Sequence, residues 1–351
     1  MPGRFSTSST AAAAMGEQPL HAVEPPVLAK LALGGDEAVW REVMALHSND
    51  ALLPQSHLRA SAARIGAAAL AISALFAVLI VAVGAALRAR KRAAAGGAAG
   101  GGKASAVPAV SALHTAYQIT NLAVNLGLGV LGAYHFALAM PPLAEVGLAQ
   151  RVEGWESVAV FAELQIGYQL WSIPTGLFLV GEHGAMLVHH ACVMVVGSMS
   201  AFFTNGFRFY TPFFYGLIEI SSVPLAVMNA FRASPAMARR HPAVHQGFRL
   251  VFSLLFLTVR IYMWVPQILD YLRVGAMLGL TCGTSLCRAG CALSWWAAVG
   301  LTCLQFIWGS KICKGLFRAF AAMSGRGPQK TCPACDAKVH ARKAKCPCHS
   351  G

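Results

Sequence analysis

The chain has 351 residues, of which 56% are hydrophobic and only 12% are charged, and its formal net charge is +14. Soluble domains carry roughly a quarter charged residues, so this composition excludes an ordinary soluble protein and predicts a membrane protein. The charge is unevenly distributed, because nine lysines and arginines lie from Lys311 onward against Asp336 alone. Basic segments of this kind commonly flank membrane spans, so we expect membrane topology rather than nucleic-acid binding to explain the tail.

Residues 1–58 precede the first apolar stretch. They are rich in alanine with scattered prolines, and they lack the apolar run near Met1 that a signal peptide requires. We predict a largely disordered segment. An organelle transit peptide is the alternative, because the first residues are rich in serine and alanine, include Arg4 and contain no acid before Glu17.

Seven apolar stretches follow. The first, 65–87, contains no charge, is long enough to cross a bilayer and lies within a unit with basic flanks at 59–92. A Gly/Ala linker, 93–110, separates it from a core at 111–320. The six stretches of the core are 111–140, 157–180, 185–203, 210–231, 248–272 and 293–320. The sequence therefore predicts an all-α polytopic membrane helical bundle with about seven transmembrane helices.

The charges of the loops predict an orientation. The loops 88–103 and 232–246 carry basic residues and no acid, whereas 141–156 carries three glutamates against Arg151. Seven spans place both basic loops and the tail, 321–351, on one side, which the positive-inside rule makes cytosolic. The N-terminus is then lumenal. The loop 273–292 departs from the rule, because it would be lumenal and yet holds two arginines.

Histidines and a carboxylate open the fourth apolar stretch. At 100° per residue along a helix, His183 and His190 share one face, and Glu182 and His189 share the next. Histidine suits proton transfer near neutral pH, and polar groups at membrane depth are costly, so this pattern indicates a functional site. The alternative is a pair of interfacial histidines that pack against the next helix.

The fifth apolar stretch carries a polar stripe. Glu219, Ser222 and Asn229 fall on one side of a helix, and Ser221 is adjacent. Pro224 removes a backbone donor and predicts a kink. The stripe either lines a cavity or holds helices together by hydrogen bonds.

Arg260 lies inside the sixth apolar stretch. Arginine stays charged in proteins, so it needs a partner, water or a lipid headgroup. Glu219 is the candidate partner.

These blocks resemble the TLC-domain family, which includes the ceramide synthases and several smaller multi-pass proteins. The resemblance covers about residues 116–320. The blocks that carry it are Gly167-Tyr168-Gln169-Leu170, His189-His190, Glu219-Ile220-Ser221-Ser222, the stretch from Phe256 to Arg260 and the stretch from Trp308 to Gly315. The Glu-x-Ser-Ser block is similar to that of the smaller, non-ceramide-synthase branch.

The chain also departs from the family pattern. Ser172 stands where members often have an aspartate, and the block that begins at Glu219 replaces the paired aspartates of ceramide synthases. Asn229 comes ten residues after Glu219 rather than about seven. These differences argue against an ordinary ceramide synthase.

The ten cysteines fall into groups. A tetrad in the polar tail could bind one Zn²⁺ tetrahedrally, or it could be a set of reactive or acylatable thiols; its members are Cys332, Cys335, Cys346 and Cys348. Three more lie in the predicted lumenal loop, where a disulfide can persist and which allows one pair; they are Cys282, Cys287 and Cys291. Those in or near spans are expected to be small apolar fillers.

The resemblance implies a role in membrane lipid homeostasis, in the endoplasmic reticulum or a related endomembrane, with membrane lipids as partners and a homo- or hetero-oligomer as an open alternative. Two hypotheses remain. In the first, the cavity binds or senses a lipid, and the lipid-binding residues are Glu182, His183, Ser221, Ser222, Asn229 and Arg260. In the second, the protein is an N-acyltransferase that uses acyl-CoA, and the catalytic residues are His189, His190 and Glu219. A channel or transporter is a third, weaker interpretation, because the sequence shows no internal repeat.

Overall fold

The computed structural model describes residues 52–96, 112–182, 184–323, 330–331 and 338–339, and these ranges are almost entirely helical. The α-helices, in chain order, are α1 (Gln55–Gly96), α2 (Ala112–Tyr134), α3 (Leu148–Glu153), α4 (Glu156–Thr175), α5 (Gly184–Phe202), α6 (Ser222–Ala233), α7 (Pro235–Arg240), α8 (Pro242–Leu255), α9 (Trp264–Thr281) and α10 (Ser285–Met323). In the tail, two short strands, β1 (Lys330–Thr331) and β2 (Lys338–Val339), pair antiparallel. Most of the segments predicted at 1–58, 93–110 and 321–351 lies outside the described residues.

Several helices contain turns that are wider or tighter than an α-helix. The π-helical turns are His135–Ala139, Gly176–Val180, Pro212–Gly216 and Phe256–Tyr262. The 3₁₀ turns are Leu143–Glu145, Arg208–Tyr210 and Leu217–Ser221. Such turns rotate the residues that follow them relative to an ideal helix, and π-helical turns are frequent at functional sites.

Six helical runs in the described ranges are long and apolar enough to cross a membrane: Gln55–Arg90, Ala112–Ala139, Gly184–Phe202, Arg208–Ala233, Pro242–Thr281 and Ser285–Ala321. The all-α polytopic bundle is therefore confirmed. The remaining predicted span, 157–180, is also helical, as α4 and the π-helical turn that continues it. It is less apolar than the other six because it buries Glu163, Gln165 and Gln169 among its neighbours.

α1 is longer than the apolar stretch that predicted it. It begins at Gln55, within the segment predicted to be disordered, and it ends at Gly96, within the predicted linker. The boundaries predicted at 58 and 93 were therefore too tight. Alanine and arginine, which dominate both flanks, are strong helix formers, so the helix extends beyond its membrane-spanning part.

α1 packs closely on α4. A Cβ atom at Gly167 would lie 2.7 Å from the Cβ of Ala68, so this glycine permits the close approach of the two helices. One turn away, Arg64 binds Glu163 in a bidentate pair, with Nε at 2.5 Å from Oε2 and Nη2 at 2.7 Å from Oε1. Glu163 is fully buried, so this pair anchors α1 to the rest of the bundle.

The backbone of α2 rests directly on the irregular turns that precede α6. A Cβ atom at Gly132 would overlap the backbone of Gly216 and Leu217, and one at Gly129 would lie 2.9 Å from the amide nitrogen of Ile220. Because glycine has no side chain, the backbone of α2 can contact the backbone of these turns directly at the two positions. This approach positions the beginning of α6, and with it the polar stripe.

Successive membrane-spanning runs alternate in direction, and α8 and α9 together form one such run, so the bundle has two ends. The end at which α4 is connected to α5, α6 is connected to α8 and α10 terminates is called the basic end. We call the closed end the opposite one, where residues 140–155 lead into α4, residues 203–208 follow α5, and α9 meets α10. α1 begins at the closed end, since the Leu53 amide donates to the Phe202 carbonyl at 2.9 Å.

Candidate functional site

A cavity of about 420 Å³ lies within the half of the bundle nearest the basic end. Ligand sites are typically of this size, at roughly 300–1,000 Å³. Its lining comes from six α-helices and the turns between them, and it includes the polar stripe and the histidine pair. The lining residues are Tyr117, Gln118, Asn121, Asn125, Gln165, Tyr168, Gln169, Glu182, Met186, His189, His190, Glu219, Ser221, Ser222, Leu225, Ala226, Asn229, Arg232, Phe252, Phe256, Arg260, Trp308, Lys311 and Ile312. The predicted site residues that the structure describes therefore lie around one space, while His183 lies outside the described residues.

A buried ion pair forms the inner wall of the cavity. Arg260 Nη2 lies 3.2 Å from Glu219 Oε2, and both residues are only 5% exposed. The guanidinium also donates to the Ser221 hydroxyl at 2.7 Å and to the Ser222 hydroxyl at 2.9 Å. Glu219 is thus the partner of Arg260, as the sequence predicted.

The second half of this network satisfies the carboxylate. Ser222 donates to Glu219 Oε2 at 2.7 Å, and Gln165 donates to Glu219 Oε1 at 3.3 Å. Ser221 in turn donates to the Ile218 carbonyl at 2.8 Å. The pair is therefore neutral overall and held by hydroxyls on both sides, as a buried ion pair requires.

The start of α6 explains why this stripe faces inward. Glu219 lies in the 3₁₀ turn rather than in α6, and Pro224 falls in the first turn of α6, where a missing amide donor is tolerated. The irregular backbone of this segment lies before Pro224, in the π-helical and 3₁₀ turns that immediately precede α6. Asn229 still reaches the cavity from the same side.

The histidine pair lies on α5, and both rings line the cavity. His189 and His190 are 7% and 6% exposed, and the Nδ1 atom of each has no hydrogen-bond partner. The His189 ring contacts Trp308 with a centroid distance of 5.6 Å, and the His190 ring lies 6.4 Å from Tyr168. The imidazoles are therefore held by aromatic packing.

Glu182 differs from its predicted position. α5 begins at Gly184, so Glu182 precedes the helix and does not share a helical face with His189. Its carboxylate instead accepts a hydrogen bond from the Tyr117 hydroxyl, which ties α2 to the connection between α4 and α5. Since Glu219 is bound by Arg260, neither carboxylate hydrogen-bonds a histidine Nδ1 atom.

Several amide side chains that line the cavity have a buried oxygen without a hydrogen-bond partner. The unpartnered atoms are Oδ1 of Asn125 and Oε1 of both Gln165 and Gln169, each on a side chain at most 6% exposed. A buried polar atom left without a partner costs about 1–3 kcal/mol. A group of them around one space therefore indicates a space that is filled by something polar.

The cavity opens toward the basic end and beside α8. Two cationic side chains, Arg232 and Lys311, line it and are exposed. Arg232 also donates to Asn229 at 3.1 Å. No residue of α8 is buried, and Phe252 of this peripheral helix lines the cavity. α8 therefore borders the cavity on the side that faces the bilayer.

Sequence reasoning overlooked the contribution of α2 and α4. Tyr117, Asn121 and Asn125 recur at intervals of four residues, and Gln165 and Gln169 do the same, so each set lies on one helical face. Polar residues at this spacing within apolar stretches were the available signal. Glu163 carried a signal of the same kind, as a carboxylate at membrane depth.

The described cysteines include one compact group at the closed end. The sulfur atoms of Cys282, Cys287 and Cys291 lie within 4.8 Å of one another and are buried, a spacing that could also hold a metal ion. Cys282 and Cys287 are joined as a disulfide, which leaves Cys291 as a thiol. The four tail cysteines predicted to bind zinc lie outside the described residues.

The comparisons identify one family. Residues 144–314 match the family model described as TLC domain. The matched range takes in α3 to most of α10, and it lies within the range of the resemblance described above. α1 and α2 lie outside it. No curated protein and no solved structure matches the chain.

Proposed function

We propose that this chain, whose residues 144–314 match the TLC domain, binds a membrane lipid in its cavity and thereby regulates membrane lipid composition. The family is linked to lipid biology, and the chain is a multi-pass membrane protein. The observation that carries the proposal is the cavity itself, since buried amide oxygens without partners and a neutralised ion pair surround a space that α8 borders on the side facing the bilayer. The Glu-x-Ser-Ser block, which resembles that of the smaller branch of the family, also supports a lipid-binding function.

The lining suits an amphipathic ligand. Leu225, Phe252, Phe256 and Ile312 provide an apolar side next to α8, where acyl chains would lie. The amides of α2 and α4 and the histidine pair provide a polar side within the bundle. Pockets that combine apolar walls with a few convergent polar groups are typical of small-molecule sites.

Lipid retention tests the binding step. Ala226 lines the cavity, so Ala226→Phe would fill part of it, whereas Val227→Phe on the same helix is a matched control outside the cavity. We expect native mass spectrometry of the full-length protein in mild detergent to find bound lipid in the native chain and in the Val227→Phe variant. Ala226→Phe should retain several-fold less. Equal retention by both variants would refute the cavity as the lipid site.

A lipidome tests the cellular role. A null host would express the native chain or the Ala226→Phe variant at matched abundance. We expect the native chain to change the level of at least one lipid class and the variant to change it less. Identical lipidomes would remove the regulatory role in that host.

A second candidate, N-acyl transfer, is favoured by one observation, the free Nδ1 atoms of His189 and His190 inside the cavity. An imidazole there would take the proton of an amine as it attacks an acyl-CoA thioester, and the thiol would leave. Arg260 or Ser222 would stabilise charge on the thioester oxygen. Neither Nδ1 atom accepts or donates a hydrogen bond among the described residues, so Glu219 does not orient a histidine as the catalytic set would require.

The double variant His189→Gln/His190→Gln separates the two candidates. The purified native chain and the double variant would each be assayed with acyl-CoA and a long-chain amine. If the protein is an acyltransferase, the native chain should form product and the double variant should not. Lipid retention by native mass spectrometry is measured on the same samples. Retention without turnover supports the binding function.

The orientation also remains a proposal. We place the basic end and the tail in the cytosol and the closed end in the lumen, within the endoplasmic reticulum or a related endomembrane. The basic loops support this, and so does the disulfide at the closed end, because disulfides persist in oxidising compartments. A C-terminal tag should be accessible to protease in sealed microsomes and an N-terminal tag protected, and the reverse pattern would overturn the orientation.

The tail cysteines, Cys332, Cys335, Cys346 and Cys348, are proposed to bind one zinc ion. Metal analysis of the full-length protein should find about one zinc that is lost when Cys332 and Cys335 are both changed to serine. Zinc at less than about half an equivalent would remove this proposal.

A further inference from the structure

Hydrogen-bond acceptors surround the polar side of the cavity. The side-chain oxygens of Asn125, Gln165 and Gln169 are buried there without a donor. Gln165 shows the polarity most clearly, because its amide nitrogen donates to the Glu219 carboxylate, which can only accept. Its oxygen is therefore the atom that is left without a partner. A ligand that satisfies this side of the cavity must present hydrogen-bond donors.

The charges around the cavity indicate which kind of hydrogen-bond donor the ligand carries. Glu219 is neutralised by Arg260, and the Glu182 carboxylate already accepts a hydrogen bond from Tyr117. The exposed charges at the opening, Arg232 and Lys311, are both positive. A cationic amine is disfavoured beside them, whereas uncharged hydroxyls can donate to the amides. The two cations suit a phosphate, which is the anion common to most membrane lipids.

We propose that the cavity takes a phosphodiester lipid whose headgroup carries free hydroxyls, such as a glycerol or an inositol, with the hydroxyls donating to the buried amides and the phosphate between Arg232 and Lys311. This proposal rests on the proposed lipid-binding function and specifies its ligand class. A choline headgroup has no donor for the amides. Diacylglycerol has a hydroxyl and no phosphate. Ethanolamine and serine headgroups bring a cationic ammonium, which the two cations at the opening disfavour. The phosphorylated polyols combine a phosphate with uncharged hydroxyl donors.

A matched pair of lipids isolates the hydroxyls. Dioleoyl phosphatidylglycerol and dioleoyl phosphatidylpropanol have the same chains and the same single negative charge, and they differ by two hydroxyls. The full-length protein in mild detergent would be given both lipids in equal amounts, and native mass spectrometry would count the bound complexes. Because each hydrogen bond contributes modestly, we expect about tenfold more phosphatidylglycerol than phosphatidylpropanol bound.

Variants assign the selectivity to the cavity. Gln165→Leu and Gln169→Leu should each lower the ratio of the two bound lipids to about two or less. Gln267→Leu is the matched control, since Gln267 is a buried glutamine of α9 outside the cavity, and the ratio should stay near ten. Lys311→Gln should weaken both lipids equally and leave the ratio unchanged, because both carry the phosphate.

The outcomes separate this proposal from the function on which it rests. If the native chain binds both lipids equally, the headgroup assignment fails, while lipid binding stands. If neither lipid exceeds the level of the Ala226→Phe variant, lipid binding itself fails. A ratio of ten that survives both glutamine variants would also overturn the assignment, because the hydroxyls would then be recognised elsewhere. Should one glutamine variant not fold, the other and the native ratio decide.

Discussion

Both ends of the bundle bury polar residues, but the two ends differ in whether the buried polar atoms have hydrogen-bond partners within the protein. At the closed end, Arg208 donates to the carbonyls of Glu153, Thr204 and Phe203, and a Cβ atom at Gly154, whose φ is +61°, would lie 2.6 Å from the Arg208 Cβ. Toward the basic end, the side-chain oxygens of Asn125, Gln165 and Gln169 have no hydrogen-bond partners. The first arrangement is complete without a ligand, and the second is not.

A second pair of residues repeats this contrast. Asp270 at the closed end accepts from Arg151 at 2.8 Å and from Tyr210 at 2.5 Å. In the cavity, Tyr168 donates to Asn121 at 2.9 Å, but Asn121 still faces open space. Burial of a polar side chain therefore does not by itself mark a functional site. The useful mark is burial without a partner, next to a space that a ligand can enter.

The largest effect on stability is expected at the ion pair that divides the two regions. Arg260→Met removes the cation and leaves Glu219 buried and charged, which should lower the free energy of unfolding by about 3–5 kcal/mol. Equilibrium unfolding in mixed micelles measures this. The double variant Arg260→Met/Glu219→Met removes both charges and should recover more than half of the loss. A double variant less stable than Arg260→Met would show that the pair is not an isolated unit.

Arg208→Met tests the closed end and should cost about 3 kcal/mol, because three carbonyl oxygens lose their donor. Since Arg208 lies away from the cavity, lipid retention below the unfolding temperature should match that of the native chain. Retention lowered as far as in Ala226→Phe would contradict the separation of the two regions.

Two tyrosines provide a matched comparison with smaller effects. Tyr210→Phe leaves the Oδ2 atom of Asp270 without its donor and should cost about 2 kcal/mol. Tyr168→Phe removes a hydrogen bond whose acceptor can be satisfied from the cavity, so the cost should be about 0.5 kcal/mol. Equal costs, measured by unfolding in the same micelles, would show that Asn121 is as enclosed as Asp270.

The sequence predicted the bundle and the central pair well, because both follow from strong energetic demands. Long apolar stretches have few alternatives to membrane spans, and a charged Arg260 inside one of them must find a partner such as Glu219. The bond from Tyr117 to Glu182 and the pair of Arg64 with Glu163 were not predicted. Each joins helices that are distant in sequence.

The helix faces were predicted less well, because the ideal rotation of 100° per residue does not hold here. Glu182 does not lie on the helical face predicted for it, because α5 begins only at Gly184. Glu219 reached the cavity through a 3₁₀ turn held against α2 at Gly129 and Gly132. That contact depends on the backbone of two distant segments, which periodicity within one helix cannot reveal.

The smallest effect on stability is expected for Asn125→Leu. The Asn125 oxygen has no partner, so an apolar side chain of similar size removes an unsatisfied group, and the free energy of unfolding should change by less than about 0.5 kcal/mol. When ligand is present, the variant and the native chain should differ in unfolding temperature. Phosphatidylglycerol should raise the unfolding temperature of the native chain more than that of Asn125→Leu, because at a given concentration the ligand that binds more tightly stabilises the folded state more. A loss as large as that of Tyr210→Phe in the absence of lipid would instead make Asn125 part of the framework, and the difference between the two ends would then be one of degree.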